Sequence, residues 1–178
     1  MHFLLYVCLP VEEAKTSLQA RKRVFRYLNR EHFVSRGRFC GQCDWFCIGG
    51  RYSGMLNMLR LKNQHPRKFK KIEKEYDAWH GFGTQVPDLF KSCFPDYEGM
   101  IPIFRDEIDE YGYPDDAQLM DEELLAELKE GFNEYVTAVF AFEKPSVIFT
   151  DLGENEWNDI EGSAGPGTHW VVVIDYHG

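Results

Sequence analysis

An apolar run from His2 to Leu9 opens the chain and predicts a first β-strand. Pro10 follows where a helix can begin, with Glu12 and Glu13 in a first turn whose dipole favours acids. Ala14, Leu18, Val24, Phe25 and Leu28 then recur at helical spacing, while Arg21, Lys22, Arg23, Arg26 and Arg30 cover much of the remaining surface. The pattern predicts an amphipathic basic helix ending near His32. Residues 35–54 are punctuated by glycine, and the mixed stretch after them, MLNMLRLK, reads as strand rather than helix. His65-Pro66 opens a second helix with Phe69, Ile72, Tyr76 and Trp79 on its apolar stripe, closed by Gly81 and Gly83.

Residues 84–120 hold Pro87, Pro95, Pro102 and Pro114 among scattered aromatics, which predicts an irregular insertion covering one face, with a short helix around Asp88 to Cys93. Asp121 can cap a further helix whose stripe is Leu124, Leu125, Leu128 and Phe132. VTAVFAF and SVIFTDL, separated by Glu143-Lys144-Pro145, predict a β-hairpin. Residues 153–168 read as an acidic, glycine-rich loop. HWVVVIDYH closes the chain as a strand apolar on both faces, the mark of a central position in a sheet.

This order predicts one α+β domain over residues 1–178, with a mostly antiparallel sheet and helices packed on one face. A ferredoxin-like core with insertions is one form it could take. The apolar opening lacks a basic n-region and a small-residue cleavage site, and no apolar run approaches the ~20 residues of a membrane span, so the expected compartment is the cytoplasm, with no membrane partner. The five cysteines are odd in number, which argues against a disulfide framework.

The charge is polarised along the chain. Residues 1–90 carry 16 Lys/Arg against 8 Asp/Glu, and residues 91–178 carry 4 against 21, within a net charge of −9. A basic half suits an anionic small molecule or nucleic acid, and an acidic half suits a basic protein partner. Alternatively the halves pack together and neutralise one another.

The densest chemistry lies in Asp44-Trp45-Phe46-Cys47-Ile48-Gly49-Gly50-Arg51-Tyr52-Ser53-Gly54. Paired glycines permit positive φ and close backbone approach, and successive N–H groups in such a turn can form an anion-binding nest. Arg51 adds a fork of donors suited to phosphate, Ser53 adds a hydroxyl, and Tyr52 and Trp45 could stack on a ring, with Asp44 orienting Arg51. The same residues also suit a tight turn with Arg51 paired to Asp44 or Asp175 and the aromatics in the core.

The segment resembles the D-W-[YF]-x-I-G-G-R-[WY]-x-G core of a family of uncharacterised proteins common in phages and bacteria. The final V-V-V-I-D-Y-H is similar to that family's closing V-V-D-x-H, and the first strand fits its opening. The resemblance implies a shared constellation of Asp44, Trp45, Gly49, Gly50, Arg51, Gly54, Asp175 and His177, and a phage or mobile-element setting. Tyr52 stands where Trp is usual.

Cys40-Gly41-Gln42-Cys43 has zinc-knuckle spacing without a second close pair, so zinc would need His32, Cys47, His80 or Cys93 as further ligands. Asp175 and His177 share a strand face and could act as an acid–base pair near Arg51, or simply bond at a strand end. The leading expectation is a small phage-associated binding protein for a nucleotide or nucleic-acid phosphate, an accessory or counter-defence factor. The alternatives are a phosphoesterase or nucleotide-modifying enzyme using Asp175 and His177, and a protein–protein inhibitor acting through the acidic tract 106–134.

Overall fold

The strand His169–His177 (β5) collects the other strands of the sheet. The fold comes from a computed structural model, which describes residues 2–30, 45–67, 111–133, 146–151, 162 and 164–177. His2–Pro10 (β1) runs antiparallel to β5 along its whole length, from His2 opposite His177 to Pro10 opposite His169. The other edge of β5 is shared by two short antiparallel strands. Trp45–Ile48 (β2) pairs with residues 174–177, and Ala117–Leu119 (β3) pairs with residues 170–172. Between them the Gly49 N–H donates to the Val173 carbonyl at 2.8 Å, so the ladder continues across the gap. Ser146–Phe149 (β4) lies parallel to β1 on its outer side. The sheet is therefore mixed and mostly antiparallel, with order β2–β5–β1–β4 and β3 beside β2.

Helices cover both faces of this sheet, not the single face that the sequence suggested. Leu5, Val7 and Leu9 of β1 and Val172 and Ile174 of β5 meet the helix Ser17–Tyr27 (α1) through Ala20 and Val24. Leu4, Tyr6 and Cys8 with Val171 and Val173 meet two other helices, Met55–Gln64 (α2) and Glu122–Asn133 (α3), through Met55, Leu56, Met58, Leu124 and Leu128. The cause is legible in β1 and β5, where every position from Leu4 to Leu9 and from Trp170 to Ile174 is apolar and buried. Strands apolar on both faces need cover on both. A ferredoxin-like arrangement, with its helices on one face, does not fit this layering.

Pro10 ends β1, and Val11–Glu13 form one 3₁₀ turn. α1 starts later, at Ser17, where the Thr16 side chain accepts the Gln19 N–H at 3.2 Å and satisfies one of the free donors of the first turn. α2 corrects the strand expected over MLNMLRLK. That stretch holds no β-branched residue and is rich in good helix formers, and Met55, Leu56, Met58 and Leu59 at helical spacing reach one core. Asp121 caps α3 as expected, its Oδ1 accepting the Leu124 N–H at 3.0 Å. Residues 111–120, expected as part of an irregular insertion, supply β3 and so belong to the sheet. β4 takes its place as the parallel neighbour of β1, while the partner expected for it in a hairpin, 136–142, lies outside the described residues. So do most of the helix expected after His65, the one expected at Asp88 to Cys93, and Cys40, Cys43 and Asp44. Among the described residues no helix is long and apolar enough to cross a membrane.

Candidate functional site

The Gly-Gly-Arg turn follows β2 directly and folds back over β5. Gly49, Gly50 and Gly54 all have positive φ, at 72°, 53° and 83°. Space matters here as much as dihedral freedom. A Cβ on Gly49 would lie 2.2 Å from Asp116 Oδ2, and one on Gly50 would lie 2.5 Å from Asp175 Oδ2 and 2.6 Å from Cys47 Sγ. Both glycines let the backbone close onto a buried carboxylate.

Those carboxylates occupy the positions an external anion was expected to take. Asp116, fully buried, accepts the Ser53 hydroxyl at 2.8 Å, the Gly54 N–H at 3.2 Å and the Tyr113 N–H at 2.8 Å. Asp175, also buried, accepts the Arg51 N–H at 3.0 Å. The Tyr52 and Ser53 N–H groups close the 3₁₀ turn onto the Gly49 and Gly50 carbonyls at 2.9 and 3.2 Å. The N–H groups of Gly49, Arg51, Tyr52, Ser53 and Gly54 are thus used inside the protein, two of them by its own buried acids. Two expected ligand residues have structural roles instead. Ser53 is buried against Asp116, and Tyr52 is packed in the core with Met55 and Leu56, so neither faces a ligand. Arg51 meets Asp175 through its backbone, and its side chain is half-buried.

Arg21 supports this arrangement from the opposite side of the sheet. Expected on the basic surface of α1, it is buried and donates from Nη1 to the Tyr111 and Gly112 carbonyls, both at 2.6 Å. It anchors the segment that delivers Asp116. Burial raises the Asp116 carboxyl above its ordinary value, and its three donors and the charge of Arg21 only partly offset this. Burial likewise pushes the Cys47 thiol up to about 12, helped by the charges of Asp175 and Asp116, so Cys47 stays a thiol at neutral pH.

Two members of the expected constellation face outward. Trp45, 41% exposed, stacks on His177 with ring centroids 5.8 Å apart and planes 3° from parallel. The two stand opposite each other in the β2–β5 ladder, and Cys47 and Asp175 form the next pair on that face, beneath the turn. The stacked rings thus stand at the end of the ladder, two residues along β5 from Asp175, which holds the turn down through the Arg51 N–H. Among the described residues, no group of three or more His, Cys, Asp or Glu gathers as a metal site.

The acidic tract is partly drawn into the molecule as well. Arg60 of α2 pairs with Asp121 and Glu123, and Asn57 donates to Asp115 at 3.1 Å. A basic residue of the first half thus meets acids of the second. The sequence singled out Asp175 and His177 but missed Asp116 and Arg21, which look like ordinary members of an acidic tract and a basic helix. Compared with protein-family models, with curated proteins and with solved structures, the chain matches none.

Proposed function

We propose that this chain is a small binding protein for an anionic, ring-bearing ligand, a nucleotide or a nucleic-acid strand, received at the surface of Trp45, His177 and Arg51. The observation that carries the reading is the parallel Trp45–His177 stack, with Trp45 41% exposed, at the end of the β2–β5 ladder whose Asp175 accepts the backbone N–H of the half-buried Arg51. A flat aromatic surface accepts any base by its π-face, and a guanidinium beside it suits phosphate. The basic first half supports the same sign of ligand. In the phage or mobile-element setting that the motif implies, such a domain serves as an accessory or counter-defence factor.

A hydrolytic role for Asp175 and His177 has less support. The Asp175 carboxylate is buried and engaged by the Arg51 N–H, and the His177 ring lies against Trp45. An inhibitory acidic face also has less support where Asp115, Asp121 and Glu123 have partners within the fold.

The test is titration of a labelled single-stranded oligonucleotide and of free nucleotides into wild type, Trp45→Ala and Arg51→Ala. Loss of stacking costs about 1–3 kcal/mol per base, so Trp45→Ala should bind roughly 5- to 150-fold more weakly. Arg51→Ala should weaken binding and flatten its salt dependence. Wild-type affinity in both variants would refute the reading.

A further inference from the structure

α1 and the residues around it carry a one-sided charge. From Ala14 to Arg30 the chain holds Lys15, Arg21, Lys22, Arg23, Arg26 and Arg30 and no acid, although the net charge of the whole is −9. Two of these cations have work inside the fold. Arg21 turns inward to the Tyr111 and Gly112 carbonyls, and Lys22 lies half-buried over the Tyr111 ring, 5.1 Å from its centroid. Lys15, Arg23, Arg26 and Arg30 are exposed. Arg23, Arg26 and Arg30, three and four residues apart, share one side of the winding chain, turned away from the Ala20 and Val24 side that packs on the sheet.

A surface that only had to be wetted would not need this arrangement. Like charges three or four residues apart repel one another on a helix. The helix dipole accounts for Arg26 in the last turn but not for Lys22 and Arg23. Arg60 of α2 shows the other solution, a cation paired with Asp121 and Glu123. Among the described residues no carboxylate pairs with Lys15, Arg23 or Arg26. The repulsion along α1 is relieved when a row of anions lies beside it.

The placement of α1 says how long that row must be. Its first residue, Ser17, donates to the Pro114 carbonyl beside β3, and Phe25 near its other end packs on Phe46 of β2 with ring centroids 5.3 Å apart. The basic side therefore leads toward the strand that carries Trp45. Trp45 and Phe46 are successive residues of β2 and point to opposite faces of the sheet. A ligand that touches both α1 and the Trp45 ring passes around the end of the sheet, which one nucleotide is too short to do. Arg23 to Arg30 alone spans roughly 10 Å, about three phosphates at the spacing of one strand.

We propose that the exposed side of α1, formed by Arg23, Arg26 and Arg30 with Lys15 before them, tracks the phosphate backbone of a single-stranded nucleic acid, so that the ligand of this protein is a strand and not a free nucleotide. The proposal rests on the reading of Trp45 and His177 as the base contact and specifies its ligand. An unpaired strand fits because its bases can leave the backbone to stack, which the bases of a duplex cannot.

The experiment is fluorescence-anisotropy titration of labelled oligothymidine, about 15 nucleotides long, into the full chain at a series of salt concentrations. Wild type is compared with Arg23→Gln/Arg26→Gln, with Arg67→Gln/Lys129→Gln as a control of equal charge change, and with Trp45→Ala. Circular dichroism of each variant checks the fold. Loss of two phosphate contacts should make the slope of log K against log salt about 1.4 shallower and weaken binding roughly tenfold or more at low salt. The control should keep the wild-type slope. Thymidine monophosphate should bind far more weakly than the oligonucleotide, and to wild type and the arginine variant alike. Wild-type affinity and slope in Arg23→Gln/Arg26→Gln, with binding lost in Trp45→Ala, would overturn the α1 track and leave the base contact standing. The reverse pattern would keep the track and refute the base contact. An equal loss in the control, equal competition by duplex DNA or by polyglutamate, or no binding of the oligonucleotide to wild type would overturn the proposal.

Discussion

The Gly49–Gly54 turn and the Trp45–His177 pair sit within a few residues of each other, yet they face opposite ways. The turn directs its donors inward, onto Asp116 and Asp175. The pair directs its rings outward, at the end of the β2–β5 ladder. A glycine-rich stretch with an arginine is easily read as one site with one purpose. Here the glycines and Ser53 hold the fold, while Trp45 at the end of the ladder is 41% exposed. Donor-rich backbone indicates that an anion is needed, and a buried aspartate can be that anion.

The sharpest way to break the inward half is Asp116→Ala. It strands the Ser53 hydroxyl and the Gly54 and Tyr113 N–H groups and removes a carboxylate that interacts with the buried Arg21, so a loss of about 3–5 kcal/mol is expected in urea unfolding. The pH profile carries a signature. Burial raises the Asp116 carboxyl, so the folded chain keeps a proton that the unfolded chain releases. Stability should therefore fall as pH rises above about 3.9, the ordinary aspartate value, and Asp116→Asn should flatten that slope. Gly49→Ala comes next, at about 2–3 kcal/mol, because its φ is 72° and the new Cβ would meet Asp116.

Asp121→Ala, a cap remote from the turn, should cost about 1 kcal/mol. Desolvation raises the Asp121 carboxyl, but the Leu124 N–H and Arg60 outweigh it and hold it below its ordinary value. Its contribution is present above that value and lost as pH falls below it, the reverse of Asp116. Trp45→Ala should change stability least, by less than about 1 kcal/mol, since the residue is 41% exposed at the end of the ladder, while abolishing most ligand binding. A large stability loss on Trp45→Ala, or a small one on Asp116→Ala, would erase the contrast between the two regions.

The long apolar runs were legible in the sequence. β1 and β5 and the central position of β5 follow from unbroken burial, and the α3 cap follows from Asp121 preceding a leucine stripe. The same runs also implied cover on both faces, a consequence of apolar residues at successive positions of β1. α2 was harder, because Met and Leu at nearly every position hide the period that separates helix from strand. Asp116 was not legible. It sits in a tract of acids, and its partners Ser53 and Gly54 lie more than 60 residues away, so nothing local marks it as the buried one. Arg21 was hidden the same way, one arginine in a basic helix, distinguished only by facing the sheet.

The most direct test of the division between turn and rings is a nuclear magnetic resonance titration of the intact protein with a short single-stranded oligonucleotide. The account predicts shifts at the Trp45 indole, the His177 ring and the Arg51 guanidinium, with Ser53, Gly54 and Asp116 unmoved. Shifts centred on Ser53, Gly54 and Asp116, or no shift at Trp45 and His177 at saturating ligand, would contradict it.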